Sequence, residues 1–230
     1  MATIGKDQVP LWLDLGDGTP LTLQQSVLDA AKAIPTGESI QLQGIDGTFE
    51  APIFKVPRIQ IGSTVFTNVT AKLDVPRAGY MPSDSKRGVL GSALLKGGAV
   101  VLDYKNRRLI MLLGESARKR ALCQGTVVPF SNASPVWKGE AVTEAETDFG
   151  HVTLWWDTGA QATMLSKSVS HSTDRIYSKH FVLGGRDFGP YSFGLIEASL
   201  PGFDGMVGDD FFMRHQVCID YAGSRLVIGP

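Results

Sequence analysis

The feature that most constrains this chain is that it repeats itself. Gly88-Val89-Leu90-Gly91 lies without gaps over Gly205-Met206-Val207-Gly208, an offset of 117 residues (88 to 205). Continuing at that offset pairs Val100 with Val217, Asp103 with Asp220, Tyr104 with Tyr221, Arg108 with Arg225 and Leu109 with Leu226. A second block sets Leu11-Trp12-Leu13-Asp14-Leu15-Gly16 against Leu154-Trp155-Trp156-Asp157-Thr158-Gly159, an offset of 143 (14 to 157). Between these blocks, Ile61-Gly62 and Phe66 match Leu183-Gly184 and Phe188. Three blocks in one order mean two copies of one unit. The division falls near residues 114 to 124, giving expected lobes 1–116 and 117–230. A duplicated unit packs about a pseudo-two-fold axis, as an isologous dimer does, so equivalent residues are expected to meet there. The equivalent residues able to do chemistry are Asp14 and Asp157.

The unit itself reads as all-β. The 26 Gly and 12 Pro are scattered, and they separate short β-branched runs such as Ile59-Gln60-Ile61, Val100-Val101-Leu102 and Val152-Thr153-Leu154. Only Gln24 to Ile34 has helical spacing, through Val27, Ala30, Ala31 and Ile34. Hydrophobic residues make up 43 % of the chain, enough for a real core in either an enzyme or a binding protein.

Charge and composition exclude several functions. With 22 Lys and Arg against 23 Asp and Glu, the net charge of -1 gives no general attraction to nucleic acid or anionic membrane. Arg118-Lys119-Arg120 reads as a solvated linker. No apolar stretch approaches the roughly 20 residues that span a bilayer, and no charged-then-apolar leader opens the chain. Cys123 and Cys218 are too few for a metal cage, and sequence leaves open whether they are bridged. His151, His171, His180 and His215 lack metal-ligand spacing. No nucleophile elbow, phosphate loop or dinucleotide fingerprint is present. The compartment stays open.

Asp-Thr-Gly alone would more often be a turn. Here an apolar strand, Val152 to Trp156, delivers Asp157, and Gly159 follows in a loop. Asp157-Thr158-Gly159-Ala160, then Asp204-Gly205-Met206-Val207-Gly208 and Val217-Cys218-Ile219-Asp220-Tyr221, resembles a lobe of the pepsin and retropepsin type of aspartic peptidase. The first half is similar to the same family from Ile4-Gly5 through Asp14-Leu15-Gly16 to Leu109. The resemblance implies an all-β bilobal acid-protease fold, with Asp14 and Asp157 as a catalytic dyad in a cleft between the lobes. It implies no metal or organic cofactor, and an extended polypeptide as substrate. Two lobes in one chain make a monomer the expected state. Two carboxylates held close share one proton, because a like charge at short range disfavours the second ionisation. That splitting is established for this class of enzyme.

Two features depart from the family pattern. The first loop reads Asp14-Leu15-Gly16-Asp17 where a hydroxyl residue usually follows the Asp. In the family that hydroxyl braces the loop against the opposite lobe, a role open to Thr158 and closed to Leu15. Asp17 adds a carboxylate beside the site; buried, it should raise the dyad's pKa values, and solvated, it should do little. The other departure is length, 74 residues from Asp14 to Gly88 against 48 from Asp157 to Gly205. The excess includes Ser39 to Phe49, a hairpin pattern around Gly44-Ile45-Asp46-Gly47 that resembles the family's substrate-covering flap, nearest the retropepsin tip. Leu15 and Asp17 also support an alternative function, a catalytically impaired module of this fold that binds peptides or inhibits. Trp155 and Trp156 read as core, and Asp103 and Asp220 as strand-end turn residues.

Overall fold

The computed structural model describes residues 1–44, 47–76, 88–114, 124–131, 140–170, 175–197 and 202–230. The expected flap tip Ile45-Asp46, the basic run Arg118-Lys119-Arg120, Cys123 and His171 lie outside the described residues. The chain divides into two compact units, Met1–Leu94 and Leu95–Pro230.

The first unit contains strands β1 (Ala2–Ile4), β2 (Asp7–Val9), β3 (Leu11–Asp14) and β4 (Leu21–Leu23), then helix α1 (Gln25–Ala30). Strands β5 (Ile34–Gly44), β6 (Gly47–Ile61), β7 (Thr64–Leu73) and β8 (Gly88–Gly91) complete it. They form one sheet in the order β2-β1-β6-β7-β4-β8-β3, with β5 paired to β6. Its core is built from Ile4, Leu21, Leu23, Leu28, Val56 and Ile59, all fully buried. Each such side chain contributes about 1.5–3 kcal/mol relative to exposure. The expected helix over Gln24 to Ile34 is shorter than its spacing suggested. It stops at Ala30, Lys32 takes a left-handed φ of 52°, and Ile34 points to solvent as the first residue of β5. Val27 and Leu28 alone bury the helix face, so nothing holds a third turn.

The second unit runs β9 (Gly98–Asp103), β10 (Arg108–Leu113), β11 (Thr126–Pro129), β12 (Val142–Thr147), β13 (Gly150–Trp156) and β14 (Met164–Ser166). It continues with β15 (Ile176–Ser178), β16 (Phe181–Leu183), β17 (Arg186–Asp187), β18 (Tyr191–Ile196) and β19 (Gly205–Val207). Helix α2 (Asp209–Phe212), β20 (Val217–Asp220) and β21 (Arg225–Ile228) close it. One sheet has the order β15-β18-β14-β19-β13-β12-β16-β17, and the other β10-β9-β20-β21-β11. Trp156, Phe181, Tyr191, Phe193 and Phe211 form an aromatic core, with edge-on contacts such as Trp156–Phe211 at 5.4 Å and 88°. Edge-on pairs add roughly 0.5–1.5 kcal/mol beyond area burial.

The repeat in the sequence is a repeat of ladders. In the first unit β8 runs parallel to β3 and antiparallel to β4, which runs parallel to β7. In the second, β19 runs parallel to β13 and antiparallel to β14, which runs parallel to β18. The matched glycines do the same work, with Gly62 turning β6 into β7 at φ 58° and Gly184 turning β16 into β17 at φ 56°. Strands β9 and β10 belong to the first copy by sequence but are hydrogen-bonded into the second unit's sheet. There Val101 pairs with Cys218, its own equivalent, while Val100 pairs with Ile219 and Leu102 with Val217. A local two-fold therefore passes through the Val101–Cys218 pair. Cys218 is disulfide-bonded. No helix among the described residues is long and apolar enough to cross a membrane.

Candidate active site

Each candidate aspartate sits at the end of an equivalent strand. Asp14 closes β3 and lies beside Gly91 of β8. Asp157 follows β13, and its amide donates to the carbonyl of Val207 in β19 at 3.0 Å. Each loop then turns in the same way. The amide of Asp17 donates to the carbonyl of Asp14 at 3.1 Å, and that of Ala160 to the carbonyl of Asp157 at 3.3 Å. The residue after each Gly-x-x-Gly element fastens the loop, Ser92 N to Asp17 O at 2.9 Å and Asp209 N to Ala160 O at 2.8 Å. The final glycine of each element permits this closeness. A Cβ on Gly91 would lie 2.0 Å from the Thr19 carbonyl oxygen, and one on Gly208 would lie 2.4 Å from that of Ala162.

The carboxylates are held by backbone donors. Asp157 Oδ1 accepts the amide of Gly159 at 2.7 Å, and Asp14 Oδ1 accepts the amide of Asp17 at 3.1 Å. Such donors favour the ionised form. Asp157, Thr158 and Ala160 are buried, as is Leu15, while Asp14 and Gly16 are half-buried.

Asp17 follows neither course expected of it. Its side chain is buried, yet Lys72 Nζ lies 2.9 Å from its Oδ1 and both side chains are 9 % exposed. Burial pushes the Asp17 carboxyl up, but Lys72 and hydrogen bonds from Thr19 and Thr22 outweigh it, leaving the group below the usual carboxylate range. The extra charge at the first loop is therefore neutralised within its own unit.

The hairpin over Ser39 to Phe49 forms as the alternation predicts, with Ser39 opposite Pro52 and Gly44 opposite Gly47. Its tip, Ile45-Asp46, is outside the described residues. The tryptophans are core, with Trp155 stacked on Phe203 at 5.4 Å and Trp156 Nε1 donating to Thr143 Oγ1 at 2.9 Å. Asp103 and Asp220 cap equivalent hairpins. Asp103 accepts the Asn106 amide and pairs with Arg108, and Asp220 accepts the Gly223 amide and pairs with Arg225. Arg108 and Asn106 hold the Asp103 carboxyl down to about 2. His180 is exposed and paired with Asp187 at 2.7 Å. Among the described residues no three His, Cys, Asp or Glu side chains converge as a metal site.

Three participants around the loops had escaped sequence reasoning. Lys72 is the one charged residue of β7, a usable signal, but its partner is 55 residues away. Tyr104 donates its hydroxyl to Asp209 Oδ1 at 2.8 Å. Burial first, then the Asp209 carboxylate, raise the Tyr104 pKa, and the charge of Asp157 adds to the effect. Asp210 accepts from Thr163 and from Tyr191. The recurrence of Tyr104 as Tyr221 was visible in the repeat, but the partners were not.

This duplicated all-β fold is that of the pepsin-like aspartic proteinases. The chain is similar to the crystal structure of an aspartic proteinase from Irpex lacteus, with a TM-score of 0.64 over 95 % of this chain and 89 % of that one. Sequence identity is 13 %, so the likeness establishes the fold alone. No protein-family description matches the chain, and neither does any curated protein sequence.

Proposed function

We propose that this chain is an aspartic endopeptidase in which Asp14 and Asp157 form the catalytic dyad. The observation that carries the proposal is the repetition of one backbone frame around both aspartates. Strand end, turn amide and following-residue clamp recur in both units, although Leu15 and Asp17 replace the residues at Thr158 and Ala160. In this reading one carboxylate is ionised and draws a proton from a bound water, which attacks the peptide carbonyl. The protonated partner donates to the developing oxyanion, and a proton then passes to the leaving amine. The titrations belong to the pair and not to either residue. The β5–β6 hairpin, with Gly44, Ile45, Asp46 and Gly47 at its tip, serves as the flap. Main-chain hydrogen bonds to an extended peptide supply affinity, and alternating side-chain pockets supply selection. The expected working unit is a single chain with no cofactor.

Leu15, fully buried where the second loop has Thr158, favours a second reading. In it the chain binds peptides without cleaving them. Cleavage of a mixed peptide library across roughly pH 3 to 8, a range spanning dyad values and neutrality, separates the two. The peptidase reading expects cleavage by the wild type and a loss on the order of 10³-fold in folded Asp157→Asn. Full activity in that variant contradicts the mechanism, and saturable binding without cleavage favours the second reading.

A further inference from the structure

The two units fasten their aspartate loops with different side chains. In the second unit the fastener is Asp210. Its Oδ1 accepts the amide and the hydroxyl of Thr163, each at 2.7 Å, and its Oδ2 accepts the Tyr191 hydroxyl at 2.9 Å. Thr163 Oγ1 in turn accepts the amide of Gly208 at 3.1 Å. The repeat places Ala93 at the position of Asp210, so the first unit has no carboxylate there.

In the first unit the carboxylate comes from the loop itself. Asp17 Oδ1 accepts from Lys72 Nζ at 2.9 Å, Thr19 N at 3.0 Å and Thr19 Oγ1 at 2.6 Å, and Oδ2 accepts from Thr22 Oγ1. The Asp17 carbonyl accepts Ser92 N at 2.9 Å and Ser92 Oγ at 3.2 Å. Asp17 is thus tied to β7, to β4 and to the residue after β8, while its amide faces the Asp14 carboxylate at 3.1 Å. Among the described residues, the charged groups facing Asp17 are Lys72 from β7 and Asp14 at the start of its own turn. A buried ion pair is often no more stabilising than apolar residues of the same volume, so stability alone does not account for its presence here.

We propose that the buried Asp17–Lys72 ion pair is a positioning device for Asp14, fixing the turn whose amide orients the Asp14 carboxylate. It steadies the loop from within the first unit, where Leu15 carries no hydroxyl. The effect on rate rests on the peptidase reading; the effect on the Asp14 carboxyl does not.

The decisive variant is Asp17→Asn combined with Lys72→Met, because either change alone strands a buried charge. Three quantities are measured on the folded protein: kcat and KM for a peptide that the wild type cleaves, and the carbon-13 titration of the Asp14 carboxyl. The expected result is a kcat lower by roughly 10- to 100-fold with KM within about threefold, the signature of misplacement rather than lost binding. The Asp14 titration moves to higher pH, since a donor to the ionised form is displaced. An unshifted titration or an unchanged kcat in the folded double variant overturns the proposal. A wild type that cleaves nothing defeats the peptidase reading instead, and the titration alone then decides the positioning. If the double variant does not fold, Thr22→Val removes one donor to Asp17 at nearly constant volume and is read the same way. A smaller upward shift supports the proposal, and none overturns it.

Discussion

At the scale of single residues, the sharpest constraints sit on glycines and on one carboxylate. Gly91→Ala would push a methyl against the carbonyls of Thr19 and Asp17, both backbone and unable to swing away. It should destabilise by about 1–3 kcal/mol, as overpacking does. Gly97→Ala, with nothing within 4 Å of its Cβ, serves as the neutral control. Paired calorimetric scans check this, and equal melting temperatures would contradict the close approach. Asp17 makes a pH-dependent prediction. Its pKa is depressed on folding, so its contribution is full above the unfolded value near 3.9 and is lost as pH falls through the lower folded value. The urea midpoints of wild type and Asp17→Asn should therefore lie apart at neutrality and converge in acid. Parallel curves at every pH would contradict an ionised Asp17. The sequence revealed both aspartates and the oddity of Asp17. Lys72 stayed hidden because strand pairing, not sequence proximity, brings it there.

At the scale of elements, period-two alternation and glycine punctuation made the β5–β6 hairpin and the ladders legible, because sheet faces and turns impose those patterns directly. Helical spacing from Gln24 to Ile34 overstates α1, which ends at Ala30, since such spacing in a short apolar run says nothing about whether both ends are buried. The fate of β9 and β10 was invisible for a related reason. Their sequence is that of the first copy, but their hydrogen bonds run to β20. Shortening the β5–β6 hairpin to a turn between Gln41 and Glu50 should leave the melting temperature within a few degrees, because Gly47 and Thr48 are exposed and Leu42 and Phe49 only half-buried. If the hairpin serves as the proposed flap, its loss should cost on the order of 10²-fold in kcat/KM. Unchanged kinetics would remove the flap from the mechanism.

At the scale of the molecule, duplication organises everything. It predicted equivalent ladders, equivalent loops and equivalent aspartates. Sequence set the break between residues 114 and 124, whereas the compact units divide after Leu94. If Asp14 and Asp157 of one chain make up the proposed site, specific activity should not change on dilution, whereas a site shared between chains would lose activity. In the proposed mechanism Asp14 and Asp157 act as one catalytic unit, which a double-mutant cycle decides. kcat/KM is measured for Asp14→Asn, Asp157→Asn and the two together, each verified as folded. Residues acting as a unit are strongly non-additive. Either single change should lose nearly as much activity as the pair, while full activity in Asp14→Asn, or losses that multiply independently, would contradict the dyad.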